Sequence, residues 1–125
     1  MKIVIPLIPV TKKNSQQIIQ VHGRPMIIPS KKYKQYERDC GPFLPAHGIN
    51  GPVNIKAVYY MPTRRRVDLC NLHEALCDVL VKHGVITDDN SLIVASMDGS
   101  RVLYDKDNPR TEVYIDPVET PQLSG

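Results

Sequence analysis

Between residues 64 and 89 the chain gathers the side chains most suited to chemistry: Arg64, Arg65 and Arg66 in a row, then Asp68, then Glu74 and Asp78, then the pair Asp88–Asp89. Carboxylate oxygens are hard ligands, and magnesium takes one or two of them, completing its shell with water and phosphate oxygens. Guanidinium groups pair with phosphate in bidentate fashion. Together these groups suggest attack on a phosphodiester, where a bound cation supplies an activated water and neutralises charge at phosphorus. Taken singly, each has a plainer role. Asp68 is a favoured helix cap, Asp88-Asp89-Asn90 a polar turn, and the arginines a solvated run. Their order and spacing are what point to a site.

The charge distribution agrees. The net charge is only +3, yet residues 1–66 hold 12 Lys/Arg against Glu37 and Asp39, while residues 67–125 hold 4 Lys/Arg against 11 Asp/Glu. A basic half attracts polyanions through counterion release, and an acidic half would repel them unless a cation stood between. The simplest reconciliation is nucleic acid held by the first half and presented to a metal held by the second. Lys12, Lys13, Lys31 and Lys32, with Arg64, Arg65 and Arg66, are the expected phosphate contacts. Lys34 and Arg38 are further candidates.

The elements that must position these groups can be read from periodicity. Lys2–Ile5 reads as a strand ended by Pro6, and His22-Gly23-Arg24 as the turn of a hairpin between two apolar runs. Lys31 to Cys40 reads as a short helix, 41–52 as a Gly/Pro loop, and Val53–Tyr60 as an alternating strand. The strongest helix spans Asp68 to His83, with Gly84 in the C′ place. Leu69, Leu72, Leu76, Val79, Leu80 and His83 share one arc, while Asn71, Glu74, Asp78 and Lys82 lie opposite. Such a helix is about 24 Å long, so Asp89 can approach Asp68 only if tertiary structure carries it back. Ser91–Met97, Val102–Tyr104 and Thr111–Ile115 read as strands, with Arg101 to Arg110 in a polar hairpin region. The chain is expected to form one domain with two main helices among these strands, and residues 117–125 a flexible tail.

Three cysteines, Cys40, Cys70 and Cys77, with no CxxC pair, point away from a disulfide framework and toward a reducing cytoplasm. The N-terminal MKIVIPLIPV is too short and Pro-broken for a signal peptide, and no apolar run reaches the length of a membrane span.

The stretch from Met61 through the arginines, Asp68-Leu-Cys-Asn71, Glu74 and Asp78 to Gly84 and Asp88–Asp89 resembles the RusA family of Holliday-junction resolvases, which is common on prophages. The resemblance is sharpest over residues 58–93, with lesser similarity at Lys12-Lys13-Asn14-Ser15 and Pro29-Ser30-Lys31. It implies a RusA-like fold, with residues 1–116 forming an α+β domain with a mixed sheet, and a homodimer whose paired sites cut opposite strands of a four-way DNA junction. It also implies Mg2+, with Mn2+ as a substitute, held by Asp68 and Asp89, with Asp88 adjacent. Two positions depart from the family pattern. Cys70 stands where a second carboxylate is expected, and Glu74 stands where a Lys is expected. A thiol is a poor magnesium ligand. Cys70 and Glu74 are one helical turn apart, so Glu74 is read as the replacement ligand, and an arginine of 64–66 as the replacement cation.

Other readings stay open at this stage. One is a junction- or DNA-binding protein with weakened cleavage, and another a metal nuclease acting on other branched nucleic acids. A third is a zinc protein using Cys70, His73 and Cys77.

Overall fold

The computed structural model describes residues 1–12, 16–29 and 31–119, so Lys13 and Ser30 lie outside the described residues. Strand β4 (Val53–Met61) organises the fold. Its inward positions Val53, Ile55, Ala57 and Tyr59 are buried. They alternate with half-exposed Asn54, Lys56 and Tyr60, as a sheet with one covered face requires. On one side β4 pairs antiparallel with β7 (Arg110–Pro117), from Val53↔Pro117 to Tyr60↔Arg110, and β7 pairs antiparallel with β1 (Lys2–Ile5). On the other side β4 takes two short parallel strands, β5 (Val94–Ser96) and β6 (Arg101–Tyr104). The result is a five-stranded mixed sheet, as the α+β reading anticipates.

Helix α2 (Leu69–Lys82) connects β4 to β5, the connection that parallel strands need. Its buried residues are Leu72, Ala75, Leu76, Cys77, Val79 and Leu80. Of these, Leu72, Leu76, Val79 and Leu80 join Ile3, Ile5, Ile55, Val113 and Ile115 in one core. Each large side chain so buried contributes about 1.5–3 kcal/mol. The helix stops at Gly84, whose φ of 74° a residue with Cβ resists. Gly84 N–H donates to the Val81 carbonyl and Val85 N–H to the Leu80 carbonyl, a Schellman closure with Leu80 and Val85 both fully buried.

Helix α1 (Lys31–Cys40) buries Tyr33, Tyr36 and Cys40. Its end is tied to that of α2, because His83 Nε2–H donates to the Glu37 carbonyl at 2.6 Å. Strands β2 (Gln16–Val21) and β3 (Arg24–Pro29) form a separate two-stranded ribbon. Its turn places His22 at φ 52° and Gly23 at φ 77°, the positive pair of a tight hairpin.

Two expectations change. Arg101–Arg110 is not a hairpin, because β4 lies between β6 and β7 and takes both strands. Only Val94–Ser96 of the segment 91–97 is strand. Before it, Asn90 closes a turn, its side-chain oxygen accepting from Leu92 N–H and its carbonyl from Ile93 and Val94. At the C-terminal end Pro117 pairs with Val53 and Val118 N–H donates to the Pro52 carbonyl, while residues 120–125 of the expected tail lie outside the described residues. Among the described residues no helix is long and apolar enough to cross a membrane.

Candidate metal centre and nucleic-acid face

Asp68 occupies the N-cap position of α2 with extended backbone (φ −87°, ψ 125°), but its side chain makes no capping bond. The helix starts instead on its carbonyl, which accepts from Asn71 and Leu72 N–H. The exposed carboxylate keeps one contact, with Asn71 Nδ2 at 3.3 Å. This cap leaves the carboxylate available for a ligand, near the positive end of the helix dipole.

Arg64, Arg65 and Arg66, all exposed, precede it. Arg64 stacks on Tyr104 at 4.4 Å, and Arg65 and Arg66 have no ion-pair partner among the described residues. Exposed Lys31 and Lys32 open α1 with no acidic residue in its first turn, so the helix dipole adds to their charge. Lys12 is engaged differently. Its ammonium lies 2.6 Å from Asp78 and 5.5 Å from the centre of the Tyr33 ring, and the bond to Asp78 raises its pKa. Asp78 is thus neutralised by Lys12, not by Lys82 as helix spacing alone would suggest, and Lys12 is drawn away from phosphate.

Glu74 is exposed, with no hydrogen bond or ion pair among the described residues. Exposed Cys70 sits one turn before it. After α2, the turn at 88–90 divides its two carboxylates. One Asp88 oxygen accepts from Asp89 N–H at 2.7 Å and the other from Asn90 Nδ2 at 3.1 Å. These bonds, the backbone one first, hold the Asp88 carboxyl below its ordinary range. Asp88 therefore shapes the turn, and the Asp89 carboxylate stays exposed, with a side-chain contact to Asp88. Burial first, then the charges of Asp89 and Asp78, push the Cys77 thiol up to about 11.

Asp68, Glu74 and Asp89 are hard, exposed oxygen donors, the chemistry magnesium takes. Among the described residues no three His, Cys, Asp or Glu side chains converge to hold a metal ion. Magnesium does not require such a cage, since water and substrate phosphate complete its shell. The same finding separates the zinc trio: Cys70 is exposed, Cys77 is buried, and His73 Nδ1 lies 2.7 Å from the Tyr59 hydroxyl.

Burial lowers the His73 pKa from its ordinary 6.5. The unfolded chain takes up this proton near 6.5 and the folded chain only at lower pH. Stability is therefore full above that value and falls as pH drops below it, until the folded imidazole itself charges. Melting temperatures between pH 7.5 and 5.5 should fall more steeply for the native chain than for His73→Gln. Equal slopes would show that His73 is not the group responsible.

Sequence reasoning missed the Lys12–Asp78 and Tyr59–His73 pairs and the role of Arg110. The Arg110 side chain bonds Asp105 and Glu112, both at 2.9 Å, and stacks on Tyr60 at 3.7 Å. Only the last had a local signal, the i,i+2 spacing of Arg110 and Glu112 along one strand face.

A mixed sheet with one connecting helix, three exposed arginines ahead of that helix and exposed carboxylates at its start and in the turn after it suit a protein that processes nucleic acid. The family model for Endodeoxyribonuclease RusA matches residues 6–116, and the chain belongs to that family. It is a crossover-junction endodeoxyribonuclease, of a family whose nucleases depend on a divalent metal and act on branched DNA. Comparison with curated proteins gives no match.

Proposed function

We propose that this chain is a magnesium-dependent resolvase of four-way DNA junctions, acting as a homodimer that makes paired phosphodiester cuts. The observation that carries this reading is the division of labour at 88–89. Asp88 spends both oxygens on the turn, and the neighbouring Asp89 carboxylate stays exposed to solvent. Asp68 and Asp89 would each offer the cation a carboxylate, while water and substrate phosphate would fill its shell. Glu74 would join as a donor only after a side-chain movement, and manganese would substitute. A bound divalent cation supplies charge neutralisation at the phosphate and a nucleophilic water. Arg65 and Arg66 bind flanking phosphates, and their charge offsets that developing in the transition state. Lys31 and Lys32 add contacts to the DNA backbone. Recognition rests on phosphate position and branch shape, because no element of the fold is built to read base edges.

A four-way junction is two-fold symmetric, and one chain offers one carboxylate site, so paired cuts call for two copies. The β2–β3 ribbon supplies a suitable surface. Ile18 pairs with Ile27 on one face and Ile19 with Met26 on the other, and all four are exposed, Ile18 by 73% and Ile27 by 64%. An isolated hairpin of this kind is marginal in water, and its apolar faces suit a protein partner.

The test is cleavage of an end-labelled four-way junction with Mg2+, Mn2+ or EDTA, beside linear duplex of matched sequence. Metal-dependent paired nicks confined to the junction support the proposal. Tight binding with no cutting in either metal replaces it with a DNA-binding protein of weakened activity, the reading favoured by the lack of three converging ligands. Cutting of flaps, forks or RNA in preference to junctions replaces it with another branched-nucleic-acid nuclease. Within the same assay Glu74→Gln should lower the rate by about tenfold or more, roughly 1.4 kcal/mol in barrier, while Cys70→Ala should have little effect. An active Glu74→Gln protein would remove Glu74 from the metal site.

A further inference from the structure

We propose that the groove between Arg64–Arg65 and strand β6 is a base-stacking subsite that receives one unpaired nucleobase of the DNA substrate, with Tyr104 as its platform. The inference rests on the reading of this chain as a branched-DNA nuclease and adds to it a means of preferring branch points.

The groove has a volume of about 320 Å³ and is walled by Met61, Thr63, Arg64, Arg65, Leu103 and Tyr104. Its floor is fixed by backbone. Tyr104 is in register with Met61, the last residue of β4, and Asp105 N–H donates to the Met61 carbonyl at 2.9 Å. Tyr104 is therefore held beside the segment that runs through the arginines to Asp68. The ring is 40% exposed, and neighbouring Leu103 is 41% exposed, on a strand paired along one edge only. The Arg64 guanidinium lies 4.4 Å from the Tyr104 centroid, which orients ring and cation together.

An exposed tyrosine, an apolar neighbour and two arginines form a charge-complementary site for a base and its phosphate. Every base has a π-face, so stacking on Tyr104 is tolerant of sequence, and the exposed Arg65 can pair with the adjoining phosphate. In linear duplex the bases are stacked on one another and cannot enter. At a branch point or in a single strand they can. The subsite thus discriminates structure without reading base edges.

The experiment measures binding by fluorescence anisotropy in EDTA, using a labelled oligodeoxythymidine and a labelled duplex of equal length. Tyr104→Leu keeps apolar bulk on β6 but removes the π-face, and circular dichroism melting confirms that it folds. Its affinity for the single strand should fall by about tenfold, the scale of one base–aromatic stack, with duplex affinity unchanged. Tyr104→Phe should bind like the native chain. Equal losses for strand and duplex would overturn the proposal, as would a Phe variant as weak as the Leu variant. Lowered self-association of Tyr104→Leu in sedimentation, with strand binding intact, would also overturn it and make the groove a protein interface. Because the assay needs no cleavage, it reads the subsite even if junctions are not cut. Junctions cut normally by Tyr104→Leu, with strand binding intact, would sink the subsite alone.

Discussion

Asp89→Asn is expected to abolish metal-dependent junction cleavage while leaving junction binding in EDTA intact. The substitution keeps the shape of the side chain and removes the charge that a cation needs. The Asp89 carboxylate is exposed and its side-chain contact is with neighbouring Asp88, so the fold loses little. The cleavage rate should fall by about a hundredfold or more, roughly 3 kcal/mol in barrier. Asp68→Asn should match it, since that carboxylate keeps only a long contact to Asn71. Asp88→Asn should behave differently. The Asp88 oxygens accept from Asp89 N–H and Asn90, so an amide there weakens the turn and displaces Asp89 without removing a proposed ligand. Partial activity that rises with magnesium concentration is the expected signature. Cleavage assays across a magnesium titration separate the cases, and full activity of Asp89→Asn would exclude Asp89 as a ligand.

The second large effect is expected from Ile18→Lys combined with Ile27→Lys. These residues face each other across the β2–β3 ribbon, and both are among the most exposed apolar side chains. Two lysines placed opposite each other repel and carry charge into any apolar interface on that face. Burial of two isoleucines per protomer contributes several kcal/mol, on the order of 1.5–3 each. The dimer should therefore weaken by at least about a hundredfold, visible in sedimentation velocity at micromolar concentration. Junction cuts should become unpaired single nicks. The melting transition of the main domain should move little, because the ribbon forms its own sheet apart from the five-stranded one. The pair Ile19→Lys and Met26→Lys tests the opposite face. A native chain that sediments as a monomer would exclude this role for the ribbon.

Sequence by itself determined the local elements. Alternation of apolar and polar residues placed β4 and β7, and the apolar arc with Gly84 placed α2 to within a residue at each end. Gly23 located the hairpin turn. The type and order of the arginines and carboxylates were also legible, and so was the family. These features are short-range: periodicity encodes which face of an element is apolar, and single residues such as Gly encode a φ that others resist. Tertiary structure decided the rest. Lys12 meets Asp78 across 66 residues of chain and Tyr59 meets His73 across 14, so neither pairing has a spacing from which to read it. Whether β6 lies beside β4 or β7 depends on which edge remains free after the long antiparallel pair has formed. Asp88 and Asp89 are chemically identical in sequence. Only the direction of the folded turn sets one to hold the backbone and leaves the other facing solvent. Burial of an element's apolar face fixes that it must pack, while the choice of partner is settled by the packing of all the elements at once.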